Sequence, residues 1–220
     1  MAQWERAWLG GVPAMRYERH FGDRVMRCFR ERPGNAFHLL SEAARRNGDG
    51  EAIVCGEERL SYRQLLATVE ACAAGMAAAG ICQGDRVAML LGNGIPFPVV
   101  LFATLRLGAI AVPLSTREQT QGLAFMLSHA GAKLLVYDAE LAERLPAKDA
   151  TPELAARVPV AAQASYRDLA LLTRPSGVAA TEVEEEDTAI ILYTSGTTGR
   201  PKGAMLTHLG ICHSAMHYEA

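Results

Sequence analysis

The run Thr188-Ala189-Ile190-Ile191-Leu192-Tyr193 passes without a break into Thr194-Ser195-Gly196-Thr197-Thr198-Gly199-Arg200-Pro201-Lys202-Gly203, and this stretch decides how the chain is read. Its first six residues are an apolar, β-branched run of strand length, and Ala204-Met205-Leu206 resumes that character after the loop. Between the two strands, Gly196 and Gly199 let backbone N–H groups turn toward one point. The hydroxyls of Thr194, Ser195, Thr197 and Thr198 add polar contacts, and Lys202 adds a compact positive charge. Such a set suits the crowded oxygens of a polyphosphate. Pro201 keeps Arg200 out of helical conformation and stiffens the exit of the loop. The order is not that of a Walker loop, in which Gly-x-x-x-x-Gly-Lys-Ser/Thr sets the lysine directly after glycine; here Lys202 follows Pro201 and precedes Gly203. A plain hairpin tip needs only about two to five residues and gains nothing from a lysine fixed between proline and glycine.

Outward from this loop, strand and helix patterns alternate. Helical spacing of Phe37, Leu40, Ala43 and Ala44 stops at Asn47-Gly48, where a left-handed cap is expected. Residues 52–61 read as a short hairpin around Gly56-Glu57-Glu58. Ser61 with Gln64 is a capping-box pattern that starts a helix over 62–79, closed by Gly80. Strands are predicted at 86–91, 109–113 and 133–137, and helices at 96–107 and 121–129. This alternation predicts an α/β chain with a parallel, helix-covered sheet. Residues 1–35 read as an irregular lead-in that ends at Pro33-Gly34-Asn35. Residues 146–187, with four prolines and the acidic run Glu182 to Asp187, read as a solvated connector.

Composition narrows the function classes. The chain has 220 residues, 50% of them hydrophobic and 21% charged, as in an ordinary globular protein. Its net charge of −2 gives no long-range field, so nucleic acid is not expected as a partner. The five cysteines are odd in number and include no Cys-x-x-Cys pair, which fits reduced thiols and a cytoplasmic location. No signal-peptide pattern opens the chain. The longest apolar stretch, Pro96 to Leu114, contains Arg106 and three prolines, so no membrane span is expected.

The segment Tyr193 to Gly203 resembles the phosphate-loop signature of the adenylate-forming superfamily, which includes acyl-CoA synthetases, luciferases and the adenylation domains of peptide synthetases. Leu60-Ser61-Tyr62-Arg63-Gln64-Leu65 is similar to that family's early Leu-Ser/Thr-Tyr-x-Glu-Leu helix start, and Leu105 to Leu114 to its Gly-Ala-x-x-Val-Pro-Leu step. The resemblance covers about residues 36–220 and implies the first part of the large N-terminal domain of these enzymes. It implies ATP, Mg²⁺ and coenzyme A, with a small-molecule carboxylate as substrate. A carboxylate attacks the α-phosphorus of ATP, and a thiol then displaces AMP. Carried over by position, Thr194, Ser195, Gly196, Thr197, Thr198, Gly199 and Lys202 grip the pyrophosphate end, and Thr194 also offers a hydroxyl to the metal. Taken alone, Thr194 equally suits a strand-end hydroxyl bonded to backbone.

Family members run to well over twice this length. Their adenine and ribose segments, hinge and C-terminal lysine have no counterpart here, so no catalytic residue is assigned in this chain. The 220 residues are expected to be an incomplete N-terminal part, inactive alone, whose uncovered apolar surface self-associates. Ser115, in place of the usual Asn, and His208-Leu209-Gly210, in place of His-Arg-Asn, depart from the acyl-CoA synthetase pattern. The alternatives are an acyl-AMP ligase, a peptide-synthetase-type adenylation domain, or a non-catalytic nucleotide-binding piece. The Leu-Gly-Ala-x-x-Val-Pro-Leu-Ser stretch at 107–115, which lacks the aromatic-Val-Pro-Leu-Asp form common in peptide synthetases, leans toward acyl-CoA synthetases.

Three other groupings were weighed. His208, Cys212, His213 and His217 have one-turn spacing, but the two pairs sit on different faces of a helix, which favours a packed helix over a metal site. The small residues around Met76 are expected to let the helix pack closely on its own domain. Asp85 and Asp138 are expected to be surface turn residues.

Overall fold

The computed structural model describes residues 13–161, 165, 167, 169, 171, 181–194 and 200–219. In chain order, a hairpin of β1 (Met15–His20) and β2 (Arg24–Phe29) precedes α1 (Ala36–Arg46). A second hairpin, β3 (Glu51–Cys55) with β4 (Glu58–Ser61), leads into α2 (Tyr62–Ala78). There follow β5 (Arg86–Leu90), α3 (Pro96–Arg106), β6 (Ile110–Pro113), α4 (Thr120–Ala130), β7 (Ala132–Asp138) and β8 (Ala156–Val160). The last described elements are β9 (Thr188–Thr194), β10 (Lys202–Thr207) and α5 (His208–Glu219).

Six strands form the main sheet in the order β10-β9-β6-β5-β7-β8, with every pair parallel except β10 with β9. Alternate residues of β5 part between two cores. Val87 and Met89 meet Val69, Cys72 and Met76 of α2 and Val99, Val100 and Ala103 of α3. Ala88 and Leu90 meet Leu123, Met126 and Leu127 of α4. A strand covered on both faces needs apolar side chains at successive positions, which is why residues 87–90 of β5 read as an unbroken apolar run.

The predicted capping box forms: the Gln64 amide donates to Ser61 Oγ at 3.2 Å, and the Ser61 amide donates to Gln64 Oε1 at 2.9 Å. The small-residue face of α2 packs within the domain as expected, and its closest approach falls at Gly75, where a Cβ would overlap the backbone carbonyl of Leu171. At the end of α1 the left-handed cap does not form. Asn47 sits at φ −145°, its amide donates to the Ala43 carbonyl, and Gly48 runs on to accept from the Arg63 amide.

Two irregular assignments are corrected. Residues 15–29, read as part of the lead-in, form a hairpin that turns through Phe21 at φ 52° and Gly22 at φ 84°. Its lone aromatic residue in the left-handed region is an unusual turn former. Residues 156–160, read as connector, form β8 despite Pro159, because β8 is the sheet edge and a missing N–H there costs no ladder bond to a further strand. The acidic run is likewise more than solvated. Arg32 forks onto both Glu18 and Glu185, His20 contacts Glu186 at 3.1 Å, and the backbone carbonyls of Glu185 and Asp187 accept from the first amides of α5.

Candidate functional site: the loop between β9 and β10

Because β9 is parallel to β6, and β6 to β5, the carboxyl end of β9 lies on the same edge of the sheet as those of its neighbours. That edge is where open α/β sheets bind ligands. Thr194 is the last residue of β9 and pairs in register with Lys202, the first of β10. Both side chains are exposed, and Thr194 Oγ1 makes only a long 3.4 Å contact with the Lys202 carbonyl. The backbone bonding expected of a lone strand-end hydroxyl is therefore present but weak, and the hydroxyl remains available to a ligand. Gly203 faces Tyr193, and a Cβ there would press on Ile191 Cγ2 at 2.9 Å, so glycine allows the strands to meet closely at the mouth of the loop. Ser195, Gly196, Thr197, Thr198 and Gly199 lie outside the described residues.

Sequence reasoning missed the residues that hold Tyr193 and Arg200, on either side of this loop. Tyr193 Oη donates to the Met126 carbonyl at 3.2 Å and lies 2.8 Å from His129 Nδ1. The His129 ring stacks on Phe125, with centroids 5.2 Å apart at 20°, and the Arg200 guanidinium lies 5.9 Å from the Phe125 ring centre. The only sequence signal was an aromatic residue and a histidine one turn apart on a helix. Burial pushes the Tyr193 hydroxyl above its ordinary pKa.

A magnesium ion takes oxygen ligands, keeps several waters and is shared with substrate phosphates. An exposed threonine hydroxyl at the mouth of the loop fits one position of such a shell. The other groupings belong to packing. His208 Nδ1 accepts from the Ala36 amide at 3.1 Å, and His213 Nε2 accepts from the Phe29 amide at 3.2 Å while its ring stacks on Phe29. Burial lowers the pKa of both histidines and raises that of the Cys212 thiol to about 12. These side chains fasten α5 to the N-terminal elements, as expected of a packed helix.

Glu18, His20 and Cys28 do place ligand atoms within 4.8 Å of one another, but Arg32 already occupies both oxygens of Glu18. Asp85, expected at the surface, is buried: it pairs with Lys133 at 2.6 Å and accepts from the Cys82 amide. Asp138 accepts from the Gly92 amide at 2.7 Å and so ties the end of β7 to the end of β5.

A family model described as AMP-binding enzyme matches residues 40–220. The long-chain-fatty-acid–CoA ligase FadD13 of Mycobacterium tuberculosis is 36% identical over 157 residues, covering 71% of this chain and 31% of that protein. Malpibaldin synthetase of Mortierella alpina is 32% identical over 173 residues, covering 79% of this chain and 3% of that protein. The inhibitor-bound N-terminal domain of FACL13 from Mycobacterium tuberculosis superposes with a TM-score of 0.67 at 32% identity, over 80% of this chain and 44% of that one. The chain spans about a third of the length of the curated CoA ligases it matches. Among the described residues, no helix is long and apolar enough to cross a membrane.

Proposed function

Because the chain belongs to the AMP-binding enzyme family, we propose that its loop from Thr194 to Lys202 grips the pyrophosphate end of ATP in an acyl-CoA ligase. In this reaction a carboxylate attacks the α-phosphorus of ATP, giving an acyl-adenylate and pyrophosphate. The sulfur of coenzyme A then attacks the acyl carbon and releases AMP, leaving a thioester. A free carboxylate is a poor electrophile, and adenylation gives it a good leaving group. Such a transfer depends mainly on positioning and on neutralising the departing pyrophosphate.

The observation that carries this reading is the placement of Thr194 and Lys202 face to face at the carboxyl edge of the sheet, with the glycine- and hydroxyl-rich run between them. Lys202 supplies charge to the β- and γ-phosphate oxygens, and Ser195, Gly196, Thr197, Thr198 and Gly199 supply amide and hydroxyl donors. Thr194 would hold Mg²⁺, which shields the phosphate oxygens from the incoming carboxylate. Coenzyme A as acceptor and a fatty acid as the carboxylate follow the similarity to FadD13, and a cytoplasmic setting follows the unpaired cysteines. The similarity to malpibaldin synthetase favours a second reading, in which the chemistry ends on a carrier-protein thiol. Product analysis of the whole enzyme that carries this chain, with and without coenzyme A, separates the two.

The test is a titration of the ¹⁵N-labelled 220-residue chain with magnesium tripolyphosphate. Saturable amide shifts confined to 194–202, absent with orthophosphate, are expected, and no saturable shift overturns the reading. In this reading the chain alone binds polyphosphate without turnover, so carboxylate-dependent ATP–pyrophosphate exchange by it would contradict that part. Self-association belongs to the same reading. Leu192, Met205, Leu206 and Tyr218 are exposed around the sheet edge that β10 forms. Sedimentation velocity is expected to show concentration-dependent association, and a single monomeric species at all concentrations would refute it.

A further inference from the structure

The register of β9 with β10 joins Thr194 to Lys202 at the two ends of the loop. A second attachment comes from α4. Phe125 and His129 lie one turn apart on one face of α4 and hold residues on both sides of the loop: Tyr193, just before it, and Arg200, near its end. The Tyr193 phenol has one proton, and this proton goes to the Met126 carbonyl at 3.2 Å. The 2.8 Å contact with His129 is then a donation from Nδ1–H to the phenol oxygen, which sets the imidazole tautomer. The same ring meets Tyr193 edge-on, at 69° with centroids 5.9 Å apart, and stacks on Phe125, whose other contact is the Arg200 guanidinium.

We propose that His129 and Phe125 are positioning residues for polyphosphate binding, holding Tyr193 and Arg200, on either side of the loop, against α4. The proposal rests on the reading of the loop as a polyphosphate grip. Donors that are already aligned lose less freedom on binding, so loosening the footing weakens affinity without removing any group that touches the ligand.

The test measures the affinity of the 220-residue chain for magnesium tripolyphosphate by the same amide titration. His129→Ala is expected to bind roughly fivefold more weakly, the equivalent of one net hydrogen bond. His129→Asn returns an N–H donor close to the Nδ1 position and is expected to recover affinity to within about twofold of wild type. Phe125→Leu keeps an apolar side chain but removes the ring under Arg200, and is expected to bind roughly threefold more weakly. A merely structural role for His129 would lower thermal stability without this rescue by asparagine. If Lys202→Ala weakens binding but His129→Ala and Phe125→Leu bind as wild type, the positioning role is overturned and the loop reading stands. If asparagine is as weak as alanine at 129, the hydrogen-bonded footing is overturned. If the wild-type chain does not bind, the loop reading falls and the proposal with it.

Discussion

Replacing Lys202 by alanine is expected to weaken binding of magnesium tripolyphosphate by tenfold or more. A hydrogen bond to a charged group contributes about 1.5–3 kcal/mol, and about 1.4 kcal/mol is a factor of ten. The substitution should leave the frame of the site in place. Lys202 meets Thr194 through backbone register, and its side chain is exposed, so the thermal midpoint is expected to stay within about 1 °C of wild type. Lys202→Arg keeps the charge but exchanges a compact ammonium for a broad planar fork, which a narrow mouth set by Gly203 accommodates less well, so partial retention is expected. Because the side chain is exposed, its contribution is screened by salt: the gap between wild type and Lys202→Ala should shrink between about 0.05 and 0.5 M ionic strength. Equal affinities for wild type and Lys202→Ala at low salt would remove Lys202 from the site.

The parts of this molecule that were legible in the sequence are those whose signal is local. The central residues of β5 and β7, 87–90 and 134–136, are buried between two cores and so read as continuous apolar runs, and Ser61 with Gln64 announces the start of α2 within four residues. The proposed polyphosphate loop rests on a signal of the same local kind, since its glycines, hydroxyls and lysine fall within nine residues of sequence. What escaped depends on distant partners. The β1–β2 hairpin presents arginine and glutamate rather than an apolar face, and its Glu18 meets Arg32, which in turn reaches Glu185 across 153 residues of sequence. Asp85 has the look of a turn residue until Lys133 is brought against it. Pro159 has the look of a strand breaker until β8 is known to be an edge. The contact of His129 with Tyr193 is not local, since Tyr193 lies 64 residues on.

Arg32→Ala is expected to cost about 3 kcal/mol of folding stability, because it strips a buried cation from two carboxylates at once. The Arg32 side chain is only 8% exposed. It donates to Glu18 at 2.7 and 3.0 Å, to Glu185 at 2.6 and 2.8 Å, and to the Phe29 carbonyl at 2.6 Å. Alanine leaves Glu18 and Glu185 facing each other with Glu186 nearby through His20, and it leaves the Phe29 carbonyl short of a donor. Lysine at 32 retains the charge but cannot fork onto both carboxylates, so an intermediate loss is expected.

The effect also has a pH signature. Hydrogen bonds from Arg32, and secondly from Arg16, hold the Glu18 carboxyl well below the usual carboxylate range. A carboxylate whose folded-state pKa is depressed contributes stability that is fully present above its unfolded value, about 4.3 for glutamate, and is lost as pH falls from there toward the folded value. Urea unfolding at pH 7 and pH 3 is therefore expected to show a wide gap between wild type and Arg32→Ala at neutral pH that narrows in acid. A gap of equal size at both pH values would mean that Arg32 acts through packing alone. The consequence reaches the binding loop through the chain itself. The Glu185 carbonyl accepts the Leu209 amide and the Asp187 carbonyl accepts the His208 amide, so the segment that Arg32 anchors both feeds β9 and caps the helix that follows β10.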